Sequence, residues 1–244
     1  MIADRTPRHG LARALSKRGL CSRTQASEWI RAGRVSVDGR VVRDPEFPTI
    51  AGRHRITVDG NALDASAARV HLMLNKPRGL VTTARDERDR DTVYRCFDGA
   101  GLPWVAPVGR LDKASEGLLL FSNDPAWAAH ITDPATGPDK RYHVQVDRLP
   151  DAAMLAVLHA GIEIEGDIFR AKSADVLRSG ERTAWLDIVL DEGRNRQIRR
   201  MLAAVEIQVL RLVRVAIGSL ELGELAKGAW RPLTEDEVAA LGGR

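Results

Sequence analysis

Only two of the 244 residues are cysteine, Cys21 and Cys96, and they stand too far apart for the paired spacing of a zinc or redox motif. Both are expected as free thiols in a reducing cytosol. No stretch approaches the roughly 18 uninterrupted apolar residues of a membrane-spanning helix, so no membrane partner is expected. Residues 1–8 lack the apolar core of a secretory signal. The six histidines, at positions 9, 54, 71, 130, 143 and 159, show no close ligand spacing, and neither cysteine has a neighbouring histidine. No metal site and no cofactor is therefore expected. A serine-nucleophile elbow and a phosphate-cradling glycine-rich loop are also missing, as are internal repeats and low-complexity tracts. Lysine is scarce too, since 31 of the 37 basic residues are arginine. Arginine forks suit phosphate and guanine edges, although genomic codon bias explains such a ratio equally well.

The remaining composition is that of a globular chain, 44% hydrophobic, with a formal net charge of +4. That sum hides two parts. Residues 1–69 hold 13 basic and 7 acidic side chains, and the remainder holds 24 and 26. Basic character concentrated in the first quarter is a common footprint of nucleic-acid binding.

The periodicity of the first segment predicts two short helices followed by strands. Leu11, Ala14 and Leu15 have helical spacing, with Gly19 placed as a carboxyl-terminal cap. Ser22 is placed to cap a second helix carrying Ala26, Trp29 and Ile30 and stopping near Gly33. A strand over 34–37, a tight turn at Asp38 and Gly39 and a return over 40–42 form a predicted hairpin. Another strand is expected over 56–58, and the Ala/Ser/Asp-rich stretch over 61–69 reads as linker. Beyond it, strands are expected over 71–75, 117–121, 142–146, 183–190 and 209–217. Helices are expected over 126–131, 151–159 and 196–204, and a solvated charged loop over 84–92. Strands and helices do not alternate regularly, so an α+β fold with a largely antiparallel sheet is expected. The division is 1–60, a linker over 61–70, a second domain over 71–233 and a tail over 234–244.

Arg13, Lys17, Arg18, Arg23, Arg31 and Arg34 lie across the two amino-terminal helices, where such a cluster follows phosphates or simply forms a solvated face. The fuller pattern from Leu11 through Gly39 resembles the small RNA-binding domain first known from ribosomal protein S-four. That resemblance implies a helix pair and small sheet presenting a basic face to structured RNA.

Residues 108–124 read VGRLDKASEGLLLFSND. An aspartate between a glycine turn and a buried strand can be held rigidly while its carboxylate faces a cleft. Gly109 and Gly117 permit tight backbone paths there. Flanking cations favour an ionised carboxylate, fit to act as nucleophile or base. The whole run closely resembles the signature of the RsuA/RluB-type pseudouridine synthases, where this aspartate, here Asp112, is the catalytic residue. Ser115 replaces the family's usual threonine and keeps the hydroxyl, and Pro125 stands where glycine is common.

Three further stretches resemble that family in type and order. Residues 74–79, with Asn75 and Lys76, match its Asn-Lys-Pro turn. Lys140 and Tyr142 match its Lys-x-Tyr strand, which makes Tyr142 the active-site aromatic. Residues 192–201 match its late motif. By that match Arg199 pairs with Asp112, Ile198 lines the uracil pocket, and Arg110 enters the space vacated by a flipped base or contacts phosphate. Asn75, Lys76, Arg194 and Arg196 are expected at the substrate. Glu206 occupies a turn where the family generally has glycine, so its backbone is expected to differ.

The resemblance implies isomerisation of a uridine to pseudouridine in ribosomal RNA, with a lean toward the large subunit. The reaction breaks an N-glycosidic bond and rejoins the ribose to C5 of the same base, with no redox step or metal. The carboxylate either attacks covalently or stabilises charge as the bond breaks. A paired base cannot reach such a pocket, so the nucleotide must be flipped out. The expected partner is ribosomal RNA or a ribosome-assembly intermediate, met by a monomer in the cytoplasm. A non-catalytic RNA-binding assembly factor on the same fold is the alternative. An aspartate-based phosphohydrolase lacks a second carboxylate cluster for magnesium.

Overall fold

The structure, a computed structural model, describes residues 8–50, 52–62, 68–84, 86 and 88–242. The chain forms two compact units, one built from the chain up to Val70 with 100–106 and 122–125, the other from the rest.

In the first unit β1 (Arg8–Gly10) leads into α1 (Leu11–Lys17) and α2 (Arg23–Arg31). Short strands follow: β2 (Val35–Val37), β3 (Arg40–Val41), β4 (Pro48–Ile50), β5 (Ile56–Val58) and β6 (Asn61–Ala62). Ser22 caps α2 as its position dictates, its hydroxyl accepting the Gln25 amide at 3.0 Å. Asp38 and Gly39 both take positive φ, the backbone a two-residue hairpin between right-twisted strands demands. The sheet runs β3-β2-β5-β6, with β1 and β4 paired separately. Leu11, Leu15, Ala26, Ile30, Val35 and Ile56 close a core at the spacing the helices and strands predict. The linker expected over 61–70 begins as a strand at Asn61–Ala62, and residues 63–67 lie outside the described residues.

The second unit is an α+β domain. Its elements are β7 (His71–Lys76), β8 (Ala106–Val108), β9 (Glu116–Ser122), α3 (Pro125–Thr132), β10 (Lys140–Val146) and α4 (Ala152–Ala160). Then come β11 (Ile162–Ile164), β12 (Asp167–Phe169), β13 (Ser173–Ser179), β14 (Ala184–Leu190) and α5 (Gln197–Ala204). The last are β15 (Val209–Ile217), β16 (Leu220–Glu221), β17 (Trp230–Pro232) and α6 (Glu235–Ala240). The main sheet runs β13-β14-β10-β15-β9-β7-β17, with β16 added to β15 and β8 to β9. All seven residues of β9 are buried, which is why its apolar run does not alternate. In β10 burial does alternate, placing Lys140, Tyr142, Val144 and Val146 on one face.

β15 runs antiparallel to β10 but parallel to β9, where Arg214 faces Gly117. Gly117 has φ 100°, and a Cβ there would overlap the Arg214 backbone. The stretch expected as a tail carries α6, closed by a Thr234–Glu237 capping box, and Leu241 beyond it packs in the core beside Trp127 and Ile131. In the loop expected as solvated, residues 85 and 87 lie outside the described residues. Asp86 departs from that expectation. Its side chain is nearly buried, accepting the Arg88 and Arg90 amides and the Arg90 guanidinium, which hold its carboxyl well below the usual range.

Candidate active site

Asp112 sits in the loop joining β8 to β9, and each carbonyl of that loop from Leu111 through Ser115 is held by a different approach. Thr82 donates its hydroxyl to the Leu111 carbonyl at 2.7 Å. The Ser115 amide closes a turn onto the Asp112 carbonyl at 3.0 Å, and the Gly79 amide reaches the Lys113 carbonyl at 2.8 Å. Arg199 donates to the Ala114 carbonyl at 3.3 Å. Lys76, wholly buried, donates to the carbonyls of Ser115 at 2.9 Å, Asp112 at 3.2 Å and Pro77 at 3.0 Å. Burial pushes its ammonium down to about 8, against the raising influence of Asp112, Cys96 and Glu116. So restrained a backbone fixes the point from which the Asp112 side chain projects before any ligand arrives.

The Asp112 carboxylate opens onto a cleft of about 440 Å³ lined by Tyr142 and Ile198, with Leu190, Leu212 and Ile217 forming apolar wall. Tyr142 and Ile198 are brought to the aspartate as expected, and Arg110 is exposed at the same cleft. The expected Arg199–Asp112 pair is not formed. Asp112 pairs with Arg196, whose Nη1 lies 3.4 Å from Oδ2, both groups half-exposed. Arg196 precedes α5 with φ 51°, a left-handed turn at the start of the helix, whereas Arg199 lies within the helix and spans to the Ala114 and Val209 carbonyls.

Asn75 and Lys76 do not line the cleft. The Asn75 amide donates to the Leu225 carbonyl at 2.7 Å, tying β7 to the loop before β17. Arg194 lines the cleft but is already engaged, 3.0 Å from Glu192, 3.6 Å from Asp167 and 5.1 Å above the Phe169 ring. Gln197 holds this late loop together, donating to Glu192 at 2.8 Å and to the Arg170 carbonyl at 3.1 Å and accepting the Arg194 amide. From the β11–β12 hairpin, Glu165 pairs with Arg200 at 2.7 Å, and the same guanidinium covers Phe169.

In the first unit Arg13, Lys17, Arg23, Arg31 and Arg34 are exposed and Arg18 is half-buried. Arg34 is occupied, forking onto Asp59 and lying 5.2 Å over the Trp29 ring. The side chains that sequence reasoning missed are Thr82, Gln197 and Arg214. For Arg214 a signal existed: it falls in the buried phase of β15 with Leu212 and Ala216, where a charge is out of place.

A restrained aspartate over an aromatic- and aliphatic-walled cleft rimmed with arginine suits a ligand that is part aromatic ring and part anion, as a nucleotide is. Residues 70–204 match the family model described as RNA pseudouridylate synthase, and residues 10–48 match the S4 domain. The chain is 34% identical to the ribosomal large subunit pseudouridine synthase B of Bacillus subtilis, covering 95% of this chain and 94% of that one. It is 34% identical to the ribosomal small subunit pseudouridine synthase A of Salmonella typhimurium, with coverage of 91% and 94%. A crystal structure of a pseudouridylate synthase superposes with a TM-score of 0.65 at 30% identity, covering 96% of this chain and 99% of the other. The chain therefore belongs to the RNA pseudouridine synthases of the RsuA/RluB type, isomerases that act on RNA. Among the described residues no helix is long and apolar enough to cross a membrane.

Proposed function

We propose that this enzyme converts one uridine of large-subunit ribosomal RNA to pseudouridine, with Asp112 as its catalytic carboxylate. The observation that carries the assignment is the fivefold restraint of the Asp112 loop beside Tyr142 and Ile198. The flipped base enters the cleft and stacks on Tyr142, and Ile198 supports its apolar side. Asp112, paired with Arg196, meets the ribose as the glycosidic bond opens, and Arg199 and Lys76 keep its backbone from yielding. Arg110 at the exposed rim reaches phosphate or the vacated stack.

The amino-terminal module, residues 1–60, docks the RNA through Arg13, Lys17, Arg18, Arg23 and Arg31, with Arg34 serving its fold. The enzyme acts as a cytoplasmic monomer on rRNA or an assembly intermediate. The rearrangement is redox-neutral and moves no group to a second molecule, so this reading calls on no metal or cofactor. The Bacillus relative favours the large subunit and the equally similar Salmonella relative the small one, and the form of residues 195–198 tips the reading to the large subunit.

The test is base-resolution mapping of pseudouridine in large- and small-subunit rRNA incubated with the wild type and with Asp112→Asn. One large-subunit uridine converted by the wild type and left unmodified by the variant is the expected result. Equal modification by both removes Asp112 from the chemistry, and a site in small-subunit rRNA reassigns the substrate.

A further inference from the structure

Six cationic side chains line the cleft, and four of them are accounted for. Arg110 lies at the exposed rim, Arg196 faces Asp112, Arg194 faces Glu192 and Asp167, and Arg199 holds loop carbonyls. Arg214 and Lys140 are the two of the six that are buried. Arg214 is 5% exposed and Lys140 8% exposed, and among the described residues neither has a carboxylate within ion-pair distance. Arg214 donates Nε to the Leu118 carbonyl at 2.7 Å, while its buried Nη2, like the Nε of the less buried Arg199, has no hydrogen-bond partner among the described residues. Burial and the neighbouring Arg214 together push the Lys140 ammonium below its ordinary range, with Asp139 and Asp191 opposing. Two adjacent buried cations with an orphaned donor are costly to fold unless something negative completes them.

Their depth indicates what that is. A nucleotide enters base first, leaving its phosphates at the rim with the exposed Arg110 and Arg196. Arg214 stands opposite Tyr142 in the β10–β15 ladder, so it shares the base's level. The geometry points to Arg214, aided by Lys140, as the donor to the uracil carbonyl oxygens that holds the negative charge they gain during the rearrangement. This inference rests on the pseudouridine synthase reading above. When N1–C1′ breaks, its electron pair stays with the base, giving a uracil anion with charge shared among N1, O2 and O4. When C5 bonds to C1′, the C5 proton departs and N1 takes one up, so the sum is an isomerisation. If Asp112 first adds to the ring, the charge again collects on a carbonyl oxygen. A preorganised buried donor at that oxygen acts on the bond-breaking step rather than on RNA affinity.

The experiment uses the full chain and the rRNA fragment whose uridine the wild type converts, made with uridine or 5-fluorouridine at that position. Consumption of the target nucleoside is followed under single-turnover conditions, and affinity is measured separately. Arg214→Gln is expected to slow consumption of uridine about a hundredfold at saturating enzyme, with RNA affinity little changed. On 5-fluorouridine the loss should be markedly smaller, because fluorine withdraws charge from the departing base. A loss equal on both substrates marks a structural role, and weaker binding with an unchanged saturated rate marks a phosphate contact. Either result overturns the inference, as does wild-type behaviour of the variant. If Arg214→Gln fails to fold, judged by its thermal melt, Arg214→Lys and Lys140→Met carry the same comparison. A wild type that converts no uridine defeats the functional reading and this inference with it. Conversion by the wild type and the Arg214 variant alike defeats this inference alone.

Discussion

Gly117 lies against Arg214 so closely that a Cβ on the glycine would overlap the arginine's carbonyl oxygen and amide nitrogen. Both residues are fixed by the parallel β9–β15 pairing, so neither backbone can give way without opening the centre of the sheet. Gly117→Ala is therefore expected to destabilise the fold by about 3 kcal/mol or more, combining overpacking with a φ of 100° that alanine resists. Gly109→Ala is the control. Gly109 also has positive φ, 74°, but its Cβ would meet only the Thr132 methyl at 3.6 Å, so about 1 kcal/mol is expected. Urea midpoints of the two variants compare the costs, and equal midpoints would refute the clash.

Lys76 links pH to the aspartate loop. Its folded-state ammonium loses its proton near pH 8, well below its ordinary 10.5. The unfolded chain binds more protons between those values, so the Lys76 contribution to unfolding free energy rises with pH across that window. Activity moves the opposite way. A neutral amine has two hydrogens for the three carbonyls of Pro77, Asp112 and Ser115, so one restraint is lost and the single-turnover rate should fall above about pH 8. Lys76→Met should be about a hundredfold slower throughout and lack that alkaline limb. A limb that persists in the variant belongs to another group.

Glu206 ends α5 at a cost that can be removed. It has φ 59°, with its amide on the Ala203 carbonyl at 3.0 Å and the next amide, of Ile207, on the Leu202 carbonyl at 2.9 Å. This pair of bonds is the left-handed helix ending that favours glycine. Glu206→Gly is expected to raise stability by about 1 kcal/mol without changing turnover, since the side chain is exposed. A lowered thermal midpoint would show that the glutamate is held by something other than the helix end.

Local chemistry was legible along the chain, and long-range partnership was not. Ser22 and the Asp38–Gly39 turn act through neighbours a few residues away. β13 escaped notice because it is an edge strand whose last five residues are exposed, leaving no alternation to read. The motif order brought Asp112, Tyr142 and Ile198 to one cleft. It gave Asn75 to the substrate, because nothing local to that residue announces the Leu225 carbonyl 150 positions away. It also set Arg199 against Asp112, whereas in the structure Arg196 stands at ion-pair distance from the carboxylate. Which of Arg196 and Arg199 reaches the carboxylate depends on a left-handed φ at the helix start, and periodicity carries no trace of that.

The place of β15 in the sheet has a consequence for how the chain is made. It is among the last strands to leave the ribosome, yet it lies between β10 and β9. Until residues 209–217 emerge, the nascent domain holds two half-sheets, each with an open hydrogen-bonding edge where the centre will be. The same delay withholds Arg199 from the Ala114 carbonyl and Arg214 from the cleft. A growing chain thus holds its aspartate loop only through Lys76, Gly79, Thr82 and Ser115 until Arg199 is added. Over that interval the unfilled edges are where a second nascent chain would pair.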